Sequence, residues 1–236
     1  MRRARLDSQE ETKDFFSVSI SDLMAGLLAI FILTLCYYIL NFNQAAAQLT
    51  QNDIKRTEMI RTIYQELDAN GIKVEIDEEH GILRISEGVL FDVGFADIKP
   101  QGVQVISMLG EVLIKTLQSD EYMGAVETIF IEGHTDNVPI NNGVFPSNWE
   151  LSTKRAINTW LLMQRANPDL ANLKNKNEQP IFSCSGYADS RPVADNGTEA
   201  GKSENRRIDI RFTMTPPTKE DANIVKFVRK EMVKSK

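Results

Sequence analysis

The sequence predicts an α+β (α/β) domain, with one mixed sheet and helices packed against a face. A single N-terminal transmembrane helix and a helical linker precede it. Three observations carry this expectation. Leu23–Leu40 is an apolar run without a charged residue; Asn41 to Asn70 contains neither proline nor glycine; and from Ile72 onward alternating segments interleave with amphipathic ones. The expected borders are a cytoplasmic tail at 1–17, a span at 18–40, a helical linker at 41–71, the domain at 72–214 and a tail helix at 215–236.

The span comes first. Leu23–Leu40 makes about 27 Å of helix, and extension back to Val18 gives roughly 35 Å, against a hydrocarbon core of ~30 Å. Arg2, Arg3, Arg5 and Lys13 precede it, and no cation follows until Lys55. That bias predicts a single pass with the N-terminus in the cytoplasm and the bulk of the chain outside the inner membrane. A competing reading is a cleaved signal sequence, with "QAAAQ" (Gln44–Gln48) as the cleavage region. The apolar run is longer than the ~7–15 residues usual for such a segment.

One acid, Asp22, sits in this oily segment. As part of "SISD" it could cap the start of the helix. Phe15, Phe16, Val18 and Ile20 instead continue the apolar character upstream, which would place the carboxylate within the membrane boundary, where acids commonly mark ion paths. Ser19 and Ser21 beside it would hydrate such a path or pack between helices.

Past the span, Ile60, Ile63 and Leu67 form a stripe widened by Met59 and Tyr64, so the linker helix should pack on its own domain or on a second copy. "IKVEID", "EEHG" and "ILRIS" read as strand, turn and strand. Val103, Ile106, Leu109, Leu113 and Leu117 mark the buried side of the next helix. "ETIFIEGHTD" is a strand, and "SNWELSTKRAINTWLLMQRA" is a helix opened by a Ser147–Glu150 capping box. "QPIFSCSGYAD" and "RRIDIRF" complete the sheet. After Pro216–Pro217 a short basic amphipathic helix is expected.

Composition narrows the function. A net charge of -6 argues against direct nucleic-acid binding, which needs a cationic face. Cys36 and Cys184 fall in different compartments, so no disulfide framework is expected. His80 and His134 are too few for a zinc site, and neither cofactor nor metal is implied. No nucleophile–base constellation appears, so the chain is not expected to be an enzyme; His134 reads as a packing and hydrogen-bonding residue.

Four segments occur in order: "LFDVGFADIKPQG", "IEGHTDNVP", "FPSNWELSTKRA" and "GYADSRPVADNGTEAGKSENRRIDI". Together they resemble the OmpA-like peptidoglycan-binding domain in the version carried by MotB-type stator subunits. The resemblance covers roughly 72–212 and implies a βαβαβ-type fold that grips the peptide stem of the cell wall. Asp136 should emerge beyond a strand end and Arg155 about two turns inside the following helix. By residue type alone the two could simply pair with each other. A carboxylate opposite a guanidinium also suits a zwitterion such as the diaminopimelate centre of wall peptide. By resemblance, Asp136 and Arg155 match the principal ligand contacts, and Thr135, Asn148, Leu151, Asn205 and Arg206 match positions lining the site. Lys202 stands where the family often has arginine.

The whole layout, with Asp22 at the position of a proton-carrying acid, resembles MotB-type subunits. Its short helical connection looks closer to ZorB of the Zorya anti-phage system than to flagellar MotB. That resemblance implies a homodimer among MotA-like (ZorA) membrane subunits, five to every two copies of this chain. Proton flow would then be coupled to antiviral defence. Flagellar rotation and a passive wall tether are the alternatives.

Overall fold

A computed structural model describes residues 2–216, with side chains described from Ser21 onward except at 44, 45, 48 and 49. The tail helix expected beyond Pro216 lies outside the described residues. Two compact units divide the described chain, one ending at Leu49 and one running from Thr50 to Pro216.

In the first unit the backbone is one helix. α1 spans Arg2–Ala69 and continues into the second unit. Ser21–Asn43 is long and apolar enough to cross a membrane, about 35 Å at ~1.5 Å per residue, and its side chains are exposed. Because the helix begins far upstream, Asp22 is not in an N-cap position; the capping explanation of this acid is set aside.

The second unit is a five-stranded sheet with helices. Its elements are β1 (Glu75–Asp77), β2 (Ile82–Ser86), α2 (Glu87–Leu90), α3 (Pro100–Leu117), β3 (Val126–His134), α4 (Asn148–Ala166), a 3₁₀ turn (Pro168–Asn172), β4 (Phe182–Gly186), α5 (Glu199–Asn205) and β5 (Arg207–Met214). The spatial order is β1-β2-β5-β3-β4; β3 and β4 are parallel and every other pairing is antiparallel. The mixed sheet is therefore as the alternating segments predict. The β1–β2 turn closes on Gly81 at φ 72°, a left-handed value that glycine adopts without a Cβ penalty. The short α2 and α5 have too few residues to show a period, and the sequence reading passed over them.

One open expectation is resolved and one changes. Met59, Ile60, Ile63 and Leu67 are fully buried in the core of the Thr50–Pro216 unit, beside Leu83, Leu113 and Phe212. The stripe thus covers the chain's own domain and is not free to pair with a second copy. The compact unit that contains this stripe begins at Thr50. Val103, expected inside, is 39% exposed. Gly102 takes the core side of that turn instead, where an added Cβ would lie 3.0 Å from the Leu90 backbone. Ile106, Leu109, Leu113 and Leu117 are buried as expected.

One close approach positions the site. Gly133 and Gly186 are register partners on β3 and β4. A Cβ on Gly133 would lie 2.0 Å from the Ser152 carbonyl oxygen, and one on Gly186 would lie 2.2 Å from Thr153 Oγ1. Backbone-to-backbone packing here sets α4 directly on the strand ends. It brings Arg155, one turn past Ser152, toward the loop that carries Asp136.

Candidate functional site: a charge-paired cleft

The cleft lies where β3 ends, with a volume of about 360 Å³. Thr135 is pinned by its N–H, which donates to the Ala188 carbonyl at 2.9 Å; its hydroxyl donates to the Asp136 carbonyl at 2.9 Å. Ala188 itself holds a left-handed φ of 49°, and its N–H donates to Ser152 Oγ at 3.1 Å. From the first turn of α4, Asn148 Nδ2 donates to the Val138 carbonyl at 3.0 Å, tying the loop to the helix. Ser147 caps that helix by accepting from the Trp149 N–H at 3.2 Å, and its hydroxyl donates to Glu150. That hydroxyl, followed by the backbone N–H of Glu150, lowers the Glu150 pKa; Ser147 and Glu150 thus meet as predicted, although the hydroxyl accepts from the Trp149 N–H and not from that of Glu150.

Four charges organise the cleft. Arg155 is 2% exposed, and its Nη2 meets Glu87 Oε1 at 2.6 Å. Its Nε donates to the Phe95 carbonyl at 2.8 Å, and the guanidinium lies 5.1 Å from the Phe91 ring centroid. Asp136 accepts the Val138 N–H on Oδ1 at 3.0 Å and Arg206 Nη1 on Oδ2 at 2.5 Å. Asp136 and Arg155 therefore do not pair with each other; each has its own counter-ion. Burial raises the Glu87 carboxyl, opposed chiefly by Arg155, and burial lowers Arg155, opposed by Glu87. Lined by three anions (Glu87, Asp136, Glu199) and three cations (Arg155, Lys202, Arg206), the cleft is neutral overall, which suits a ligand that itself carries both signs.

Of the predicted residues, Thr135, Asp136, Asn148, Leu151, Arg155 and Arg206 all line the cleft. Asn205 does not. It is fully buried and staples the preceding loop, accepting from the Val193 and Ala194 N–H groups at 2.8 and 3.0 Å and donating to the Ala194 carbonyl at 2.9 Å. Its contribution is to place its neighbour Arg206. Glu87 was missed, because a lone acid following "ILRIS" reads as a solvated strand end.

On the opposite sheet face His134 is 2% exposed and stacks on Tyr187 at 5.5 Å between centroids, with Arg191 over that ring at 3.6 Å. It packs as expected, but neither ring nitrogen has a hydrogen-bond partner, so only half of that expectation holds. Burial, then Arg207, Arg191 and Arg84, depress its pKa to about 3, although Asp209 Oδ2 lies 3.6 Å from Nε2. A folded-state pKa below the unfolded value of about 6.5 means that the unfolded chain binds the extra proton. The contribution is complete above pH 6.5 and is lost as pH falls from 6.5 toward 3, at up to about 1.4 kcal/mol per pH unit. Denaturant unfolding of wild type and His134→Phe at a series of pH values should show wild type losing stability relative to the variant as pH falls from 6.5 toward 3. Parallel curves would show that His134 does not titrate on unfolding.

Comparison with known proteins defines the class. Residues 90–206 match the OmpA family, and the sheet, its helices and the cleft form an OmpA-like domain. More particularly, the chain resembles motility proteins. It is 33% identical over 139 residues to motility protein B of Bacillus subtilis (strain 168), covering 59% of this chain and 47% of that protein. It is 29% identical over 172 residues to the uncharacterized protein YtxE of the same organism, covering 71% and 64%. Less than two thirds of either relative's length is thus spanned. The fold is shared with a MotB-like protein from Desulfovibrio vulgaris at 21% identity and a TM-score of 0.55, covering 70% of this chain and 98% of that one.

Proposed function

We propose that this chain is a peptidoglycan-anchored subunit of a proton-driven, MotA/MotB-like complex in the bacterial inner membrane. The single observation that carries the anchoring half is the neutral cleft of the OmpA-like domain. There Arg155 and Asp136 are held by separate counter-ions, ready to receive the carboxylate and ammonium of a diaminopimelate centre.

The motor half rests on Asp22 in the apolar stretch of α1. A neutral acid tolerates lipid-like surroundings and an ionised one needs water or a polar partner. Protonation therefore changes which surface of a surrounding MotA-like ring it prefers. Each proton crossing supplies about 2.3 kcal/mol per 100 mV. We place the N-terminus in the cytoplasm, the OmpA-like domain in the periplasm, and two copies of the chain among five MotA-like (ZorA) partners.

For the biological output, a Zorya-type role in phage defence is supported by the brevity of the connection. Only residues 44–49 separate the apolar stretch from the folded unit. The flagellar alternative is supported by the likeness to motility protein B. Deletion that affects phage survival and not swimming selects the first, and the converse selects the second.

The grip is tested by competition. A stem tripeptide ending in diaminopimelate should release the full-length protein from isolated peptidoglycan at lower concentration than the lysine tripeptide, which lacks the carboxylate for Arg155. Equal release by both would contradict the assignment.

A further inference from the structure

Glu87 uses only one of its two oxygens. Oε1 takes the Arg155 guanidinium at 2.6 Å, whereas Oε2 is buried, has no hydrogen-bond partner and lies 3.7 Å from Arg206 Nε. A buried polar atom without a partner costs about 1–3 kcal/mol, and more when it is charged. Arg206 is the charged donor placed to relieve it. Its side chain is 27% exposed, but Nη1 is held on Asp136 Oδ2 at 2.5 Å. A shift of about 1 Å would bring Nε within hydrogen-bond reach of Oε2.

We infer that Glu87 is a positioning residue that receives Arg206 when a ligand ammonium displaces it from Asp136. The inference rests on the reading of the cleft as a site for diaminopimelate-containing peptide. In the free protein Arg206 neutralises Asp136, which keeps that carboxylate from standing unpaired in a half-enclosed cleft. An arriving ammonium competes for the same oxygen. Without a second anion the released guanidinium would face the ammonium as a like charge. Glu87 supplies that anion on the far side of Arg206, and the oxygen left unpaired in the free state gains its partner in the bound one. One acid thus serves both halves of the recognition: it fixes Arg155 for the ligand carboxylate and accepts Arg206 so that Asp136 is open to the ammonium.

The test separates these two halves by ligand chemistry. Full-length protein in detergent is titrated with the diaminopimelate tripeptide and with the same peptide carrying 2-aminopimelate, which keeps the far carboxylate and lacks the far ammonium. Wild type should prefer the first by about tenfold or more, the scale of one charge-assisted hydrogen bond. Glu87→Gln should reduce that preference to within about threefold, since a neutral amide oxygen gives the displaced guanidinium much less. If Glu87→Gln weakens both peptides by the same factor, Glu87 acts through Arg155 alone and the inference is overturned. If wild type binds neither peptide, the reading of the cleft fails before the inference is reached, and both fall.

A second measurement does not depend on the variant folding. In the wild-type complex the Arg206 Nε–Glu87 Oε2 separation should contract to about 3.2 Å or less, while the Arg206–Asp136 contact opens beyond about 3.5 Å. A complex that keeps Arg206 on Asp136 and leaves Oε2 without a partner would overturn it.

Discussion

Arg155→Ala is expected to destabilise the domain by about 3–5 kcal/mol and to abolish retention on peptidoglycan. The first effect follows from burial: the guanidinium is 2% exposed, and removing it strands Glu87, itself 4% exposed, without its 2.6 Å counter-ion. It also frees the Phe95 and Asp92 carbonyls that Arg155 satisfies. Arg155→Lys keeps the charge but not the planar fork that meets these acceptors together, so it should recover part of the stability and little of the binding. Urea unfolding beside a sedimentation assay checks both effects. An Arg155→Ala protein as stable as wild type would show that the buried pair contributes nothing to the fold.

Asp22→Asn is expected to eliminate output, whether phage protection or motility, while expression, membrane insertion and association with MotA-like partners stay at wild-type levels. Asparagine has the same shape and sits within the same continuous helix, so packing along α1 is retained. What it cannot do is alternate between a neutral and an ionised form. Asp22→Glu keeps that chemistry one methylene further out and should leave partial activity. Full function in Asp22→Asn would reduce the chain to a passive tether. The assay is survival or swimming in a deletion strain carrying each variant, with complex formation measured by pull-down.

The sheet was legible because its signals are local. "ILRIS" and "ETIFIEGHTD" alternate with period two, and the α3 and α4 segments repeat apolar residues at helical spacing, so strand and helix followed from pattern alone. The partner of the Ile60–Leu67 stripe was not legible. An apolar helix face states that something covers it, not what, and the structure supplies the chain's own core. Gly102 shows the same limit at one turn: hydropathy points to Val103, whereas close backbone packing selects the residue with no side chain.

The site divided in a similar way. Asp136 and Arg155 were found through motifs, and the cleft brings them together, but each through a counter-ion from a distant segment. Arg206 lies 70 residues from Asp136 in sequence, and Glu87 sits on a single-turn helix with no periodic signal. Such pairings depend on the fold that joins them. Asn205 shares the motif with Arg206 and points instead into its own loop, because in a turn adjacent residues face different neighbours.

Co-sedimentation of full-length protein with isolated peptidoglycan, comparing wild type with Asp136→Asn, is the most direct measurement. Asparagine keeps the oxygen that accepts the Val138 N–H at 3.0 Å and removes only the charge offered to Arg206 or to a ligand ammonium. Wild type should pellet with the wall and Asp136→Asn should remain in the supernatant, with unfolding curves showing that both are folded. Equal pelleting of two folded proteins would contradict the assignment of this cleft as the wall-binding site.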